Sequence, residues 1–321
     1  MTRESRVIAR DLRGKDTFVV VGEMLDRLEV GKAVEGKSVV LKPNLCTERS
    51  EILEVANTSP VVVEAIVRYL RDYTSTIVIG ESDGTRYSAN DAFRNNGTYD
   101  IGRRYGVQVL SFTEDVQVPV EQQDFAGWTF AKTWIDADIF ITAPKIKTHA
   151  TTYFTGALKN QWGCIPRNDR ILLHKRLHHL IGMVNAIRPV DFAVMDGLVA
   201  MEGRGPINGP PVALDLLIAA NDPVAIDVCA MRLVGLTPEK SKHVMYAGKV
   251  LNLGETSMDR VVLDSDVHRD LPRLKEAQTD WAINTMNVIS RSEFLTRQLI
   301  MNDGIFYPLR SMVQKIRNAV G

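Results

Sequence analysis

Cations crowd one stretch of this chain: Lys145, Lys147 and His149 fall within "PKIKTH", Lys159 follows in "TGALKNQWG", and Lys42 stands far upstream in "LKPNL". Lysine ammonium groups gathered in this way hold phosphate or carboxylate oxygens, each as a compact charge with three donors. If "PKIKTH" is extended, Lys145 and Lys147 share one side of it. Asn44, Thr148 and Asn160 supply neutral donors and acceptors beside the lysines. His149 follows two lysines that disfavour its imidazolium, which suits a neutral base or donor.

Carboxylates form the counterpart: Glu81 and Asp83 in "GESDG", Asp196 and Glu202 in "MDGLVAMEGRGP". Acids beside lysines shift one another's pKa toward general acid/base use, and the same acids suit a divalent cation bridging to a substrate phosphate. Asp83 and Asp196 stand next to or near glycines and serve equally well as turn residues. Residues 202–211, "EGRGPINGPP", carry Gly203, Gly205 and Gly209; they form either an anion cradle of free N–H groups or a plain connection. No GxxxxGK[ST] occurs and no GxGxxG follows a strand, so nucleotide binding through those motifs is not indicated. His174 and His178 in "HKRLHH" are spaced as metal ligands on one helix face, but no HExxH or cysteine cluster accompanies them.

These residues need a scaffold that brings distant segments together. Apolar β-rich runs alternate with helical patterns, the mark of an α/β protein with a mostly parallel sheet and flanking helices. The expected strands are Ser38–Leu41, Thr76–Ile79, Val107–Leu110, Asp138–Thr142, Asp191–Val194 and Ala213–Ala219, with a late strand in "RVVLDSD". "SPVVVEAIVRYLRDY" and "HKRLHHLIGMVNAIR" read as helices, and residues 222–252 as two more, the first capped by Asp222 with Pro223 in its first turn. Five of the strands run into Lys42-Pro43-Asn44, Glu81-Ser82-Asp83, Pro144-Lys145, Asp196-Gly197 and Asn221-Asp222. Ligand crevices of open parallel sheets lie outside the strands' carboxyl ends, so these five segments are expected to converge. One α/β domain over residues 1–270 carries the crevice. A helical C-terminal extension, 271–321, ends in the amphipathic "FYPLRSMVQKIRNAVG" and docks on the body or on a second copy in a homo-oligomer.

Composition narrows the function. The chain has 321 residues, 45% of them hydrophobic, with 39 Lys plus Arg against 39 Asp plus Glu. That balance supplies no field for general nucleic-acid binding, so any basic site is local. Cys46, Cys164 and Cys229 form no CxxC pair, and neither a disulfide framework nor an iron–sulfur cluster is expected. With no apolar run long enough to span a bilayer and no secretory h-region, the expected location is the cytoplasm.

"LKPNL", "APKIKTH", "TGALKNQWG", "MDG…EGRGP" and "ANDPVAID", in that order, resemble the family known as domain of unknown function 362, over most of residues 35–235. The resemblance implies a shared anion-binding site built on Lys42, Asn44, Lys145, Lys147, Thr148, His149, Lys159, Asn160, Asp196, Glu202, Gly203 and Gly205. Many relatives carry ferredoxin-like cysteine clusters, and this chain departs from them. A looser likeness, of architecture, is to the nickel-pincer lactate racemases. The reading is an enzyme acting on a small phosphorylated or carboxylated metabolite by transfer or isomerisation. Lysines clamp the anion, His149, Glu81 or Asp83 moves a proton, and Asp196 and Glu202 position a hydroxyl or a divalent ion. A non-catalytic anion- or nucleotide-binding module and a redox accessory protein are the alternatives.

Overall fold

The computed structural model describes residues 4–277, 284–285, 288–290, 292–302, 304–306, 308–309 and 311–312. Its strands are β1 (Arg6–Asp11), β2 (Val39–Pro43), β3 (Ile77–Glu81), β4 (Gln108–Ser111), β5 (Gln117–Pro119), β6 (Thr129–Ala131), β7 (Ile139–Ala143), β8 (Lys145–His149), β9 (Tyr153–Phe154), β10 (Phe192–Met201), β11 (Pro211–Ala220) and β12 (Val262–Ser265). The main sheet runs β12-β1-β11-β10-β7-β2-β3-β4, with β8 pairing β10 and β9, while β5 and β6 form a separate ribbon. β11 is antiparallel to both its neighbours. The other neighbouring pairs along that order are parallel.

Side-chain alternation sorts each strand into two layers. Val40, Phe140, Ala193 and Ile218 enter one core with Trp134, Phe154, Ile181 and Val228. Their neighbours Leu41, Ile141, Val194 and Leu217 enter the other, with Val21, Met24, Val63 and Ile66 from the helices Thr17–Arg27 and Pro60–Arg71. Strands buried on both faces read as unbroken apolar runs, which is why the central ones are legible in the sequence. Pro60 opens its helix as expected, and Arg68 and Arg71 close it.

Three differences from the sequence reading follow from local chemistry. β1, "RVIARD", is masked by its charges, although Val7 and Ala9 are fully buried and Arg10 is held by Asp264. β8 is a strand of its own, where the sequence reading ended the strand at Thr142 and left the course of "PKIKTH" open. Proline has no N–H for the ladder, so the break at Pro144 separates β7 from β8, and both run beside β10. The antiparallel course of β11 carries Asn221 and Asp222 to the opposite edge, where Asn221 receives the Arg6 N–H and Asp222 the Ser5 hydroxyl. The fifth expected crevice segment therefore does not join the other four.

Asp222 instead caps the helix Pro223–Leu233, accepting from the Val224 and Ala225 N–H groups. Residues 271–277 run without helix, and helical turns appear among the described residues from 284 onward. Within the C-terminal amphipathic segment, Tyr307, Arg310 and residues 313–321 lie outside the described residues. No helix among the described residues is long and apolar enough to cross a membrane.

Candidate functional site

Two buried ion pairs form the floor. Lys42, next to last in β2, meets Glu81, last in the adjacent β3, at 2.7 Å, with side chains 1% and 4% exposed. Such a pair persists only if its remaining donors and lone pairs are also satisfied. Glu81 accepts from the Ser82 N–H at 3.0 Å and the Leu45 N–H at 3.3 Å. Lys42 also donates to the Asn160 side-chain oxygen, while the Asn160 amide donates to the Lys42 carbonyl and the Thr142 hydroxyl. Gly163 leaves room for the pair: a Cβ there would lie 2.3 Å from Glu81 Oε1 and 2.7 Å from Lys42 Nζ.

Lys145 and Asp196 face each other in the β8–β10 register. Their 2.8 Å pair is completely buried. Asp196 is saturated by the Ser59 and Leu198 N–H groups. One strand step along, Lys147 Nζ donates to the Ala56 carbonyl at 2.7 Å and to Cys46 Sγ at 3.1 Å. Burial, opposed by Cys46, lowers the Lys147 pKa. Three of the four lysines singled out in the sequence thus have partners inside the protein.

Lys159 differs. It makes no hydrogen bond or ion pair among the described residues. Part of its side chain reaches solvent. Desolvation, then the charge of Lys147 and with it those of Arg170 and Lys42, brings its pKa down to about 7. The backbone that launches it is fixed. Asp227, on the helix Pro223–Leu233, accepts from the N–H groups of Ala157 at 2.6 Å and Leu158 at 3.2 Å, and Asn160 locks the following turn to β2 and β7. Burial raises Asp227 to about 8 despite those two N–H groups. Gly156 lets the helix approach that carboxyl, since a Cβ would lie 2.1 Å from its oxygen.

His149 closes β8. Its Nδ1 accepts from the backbone N–H of Thr151 at 3.0 Å and of Thr152 at 3.3 Å. In the neutral ring the proton therefore sits on Nε2. Burial and then the Lys159 charge hold its pKa well below the ordinary value. With the Nδ1 lone pair occupied by backbone protons, the ring nitrogen left over is the Nε2–H, a hydrogen-bond donor.

Other expected site residues are placed less centrally. Asp83 accepts from the Ala89 N–H, the turn duty foreseen as its alternative. Asn44 ties its loop to the Ala56 carbonyl. Glu202 accepts from the Lys275 N–H and pairs with its ammonium, and the Gly203 N–H donates to the Lys275 carbonyl, so both anchor the segment past residue 270. Gly205 packs against β8: a Cβ would sit 1.8 Å from the Thr148 carbonyl oxygen. The Thr148 hydroxyl is buried without a partner among the described residues.

His174 and His178 do not share a helix face. His174 lies in the 3-10 stretch Asn168–Arg176, against Trp162, and the α-helix starts only at Leu177. Burial lowers His174 to about 4. His178 stacks on His243 with centroids 6.1 Å apart. No cluster of three or more His, Cys, Asp or Glu side chains suited to a metal occurs among the described residues.

Sequence reasoning missed Cys46, Arg170 and His243. Cys46 carries a signal in hindsight, four residues past Lys42 at the same strand end. Arg170, which donates to the Ser82 hydroxyl and the Ile165 carbonyl, and His243, buried beside His178, arrive through tertiary packing alone.

A family model described as Domain of unknown function (DUF362) matches residues 39–232. The chain is 29% identical over 232 residues, 70% of its own length and 71% of the other's, to a thylakoid-associated protein of Synechocystis sp.. Among solved structures, it aligns with the lactate racemase apoprotein from Thermoanaerobacterium thermosaccharolyticum at a TM-score of 0.43 and 11% identity, covering 76% of this chain and 57% of that one. It aligns with a Thermotoga maritima protein at a TM-score of 0.37 and 13% identity, covering 72% and 59%. This chain spans less than two thirds of either structure.

Proposed function

The chain belongs to the family described as Domain of unknown function (DUF362), and on that premise we propose that it is an enzyme acting on a small phosphorylated or carboxylated metabolite. Lys159 receives the anion and moves a proton, and His149 donates a hydrogen bond from Nε2 to the oxygen on which charge develops. The reaction is a transfer or an isomerisation. The observation that carries this reading is the Lys159 ammonium, without a partner among the described residues and with a pKa of about 7. An amine poised near neutral pH binds an oxyanion when protonated and accepts a proton when not. Lys42, Glu81, Lys145 and Asp196 support it by holding the strand ends in place.

The test is titration calorimetry with orthophosphate and a panel of small hydroxy and oxo acids, alongside native mass spectrometry and metal analysis of freshly purified protein. Losing a charge-assisted hydrogen bond costs about 1.5–3 kcal/mol, so Lys159→Met should weaken anion binding by roughly ten- to a hundredfold. Equal affinity in the variant removes Lys159 from the site.

A second reading, a binding module without turnover, is favoured by one observation: Glu81, Asp83, Asp196 and Glu202 are all engaged by internal donors. Deuterium uptake from heavy water into a bound acid, dependent on the protein and lost in Lys159→Met, supports the enzyme. Binding of the same acid with neither exchange nor turnover supports the module.

A further inference from the structure

Resting on the reading of Lys159 as the residue that meets the ligand, we propose that Lys159 is an amine nucleophile that condenses with the carbonyl group of a small oxo acid, forming an imine. The argument begins with what the other lysines do. Lys42 and Lys145 are tied to buried carboxylates at 2.7 and 2.8 Å, and Lys147 is tied to a carbonyl and a sulfur. An ammonium bound to a carboxylate has no lone pair to offer. Lys159 has no such tie among the described residues and is reachable from solvent.

A nucleophilic lysine must also be neutral near pH 7 and firmly placed. Desolvation and neighbouring cations are the means by which proteins keep such an amine unprotonated. Both act on Lys159: its surroundings desolvate it, and Lys147, Arg170 and Lys42 repel its proton. The helix Ala157–Asn160 that launches it is pinned by Asp227 at one end and by Asn160 at the other. Lys147 and Arg170, held by neutral partners, also make the surroundings cationic, so a carbonyl compound with an acid group is favoured over a neutral one.

The condensation balances without an oxidant. Neutral Nζ adds to the carbonyl carbon, forming the C–N bond. The carbonyl oxygen, hydrogen-bonded by His149 Nε2–H, gains the proton that nitrogen loses through solvent. The resulting hydroxyl takes a second proton from solvent and leaves as water while the nitrogen lone pair closes the C=N bond. Amine plus carbonyl gives imine plus one water, and the protonated imine keeps the positive charge among the donors. His149 polarises the oxygen and surrenders no proton, in keeping with its occupied Nδ1.

The experiment incubates the full chain with glyoxylate or pyruvate and sodium cyanoborohydride, which reduces an imine to a stable secondary amine, followed by intact mass and peptide mapping. The expected result is one adduct per chain, on Lys159, at least about tenfold above exposed lysines such as Lys32, because the neutral-amine fraction is so much larger. Its rate rises with pH through about 7, and orthophosphate slows it. Lys159→Arg, which keeps the charge, abolishes the adduct. Labelling of Lys159 no faster than of Lys32, in wild-type protein that still unfolds cooperatively, overturns the proposal. Orthophosphate titration separates the two ideas. Phosphate that stabilises the wild type but not Lys159→Met, with no adduct, sinks the imine alone, whereas neither effect sinks the anion site with it.

Discussion

Lys42 and Glu81 illustrate how a residue type that announces chemistry in a sequence acquires a structural duty in the fold. Each is charged, almost fully buried and the principal partner of the other. Removing one member leaves an uncompensated charge in a low-dielectric setting, at about 3–5 kcal/mol, whereas removing both together restores most of the loss. Lys42→Met and Glu81→Gln are therefore each expected to lower the urea midpoint strongly, and the double variant to recover most of it. Additive losses in that cycle would show that the two do not depend on each other. Lys159→Met deletes no pair among the described residues and removes an amine whose protonation the fold resists, so it should raise the midpoint at neutral pH while weakening anion binding. The sequence singled out Lys42, Glu81 and Lys159 alike as site candidates. It could not separate tied lysines from the untied one, because the partners of Lys147 are a carbonyl and a thiol from another loop.

At the scale of elements, β8 is the piece that the sequence concealed. "KIKTH" has polar side chains at four of five positions, yet every residue in it is buried. Its strand character comes from pairing with β10 and β9 rather than from apolar alternation. The apolar runs of β2, β3 and β7 were legible within a residue or two because burial on both faces leaves mostly apolar choices ahead of the strand ends. Gly205 shows how closely β8 is enclosed. A methyl group there would lie 1.8 Å from the Thr148 carbonyl oxygen, and backbone cannot step aside as a flexible side chain would. Overpacking costs about 1–3 kcal/mol. Gly205→Ala should lose about that much in urea unfolding and loosen His149 as well, seen as faster exchange of the Thr151 and Thr152 amides. The Asp227 contact with the helix Ala157–Asn160 was beyond the sequence, since the two segments lie 70 residues apart. The expectation that Asn221 and Asp222 join the crevice failed for a related reason: strand direction is a property of the sheet, and "PVALDLLIAA" reads alike in either direction.

Across the whole molecule, the convergence of buried imidazoles with Lys159 dictates how stability must vary with pH. His149 and His243 are held well below the ordinary imidazole value, chiefly by burial, and His174 is brought to about 4 by the same cause. Below about 6.5 the unfolded chain binds protons at these residues that the folded chain refuses, so their contribution is complete above that pH and is lost as pH falls toward 4. Each unit of such displacement corresponds to about 1.4 kcal/mol. Asp227 works the other way. Raised to about 8, it retains a proton that the unfolded carboxyl releases above about 3.8, so its contribution is present at acid pH and fades as pH rises through 8. With His178 also lowered by burial, four imidazoles oppose one carboxyl between pH 4 and 6.5, and stability should climb over that interval. Lys159 then adds a second rise from about 7 toward 10.5, where the unfolded amine is protonated and the folded one is not. Urea midpoints measured at pH 4.5, 6.5, 8 and 9.5 should show both rises. The upper one should shrink in Lys159→Met to the part due to the lowered Lys147, and shrink also when orthophosphate, by holding the Lys159 ammonium protonated, returns its pKa toward the ordinary value. An upper rise of undiminished size in Lys159→Met would mean that this amine is not the group repelled by the surrounding cations.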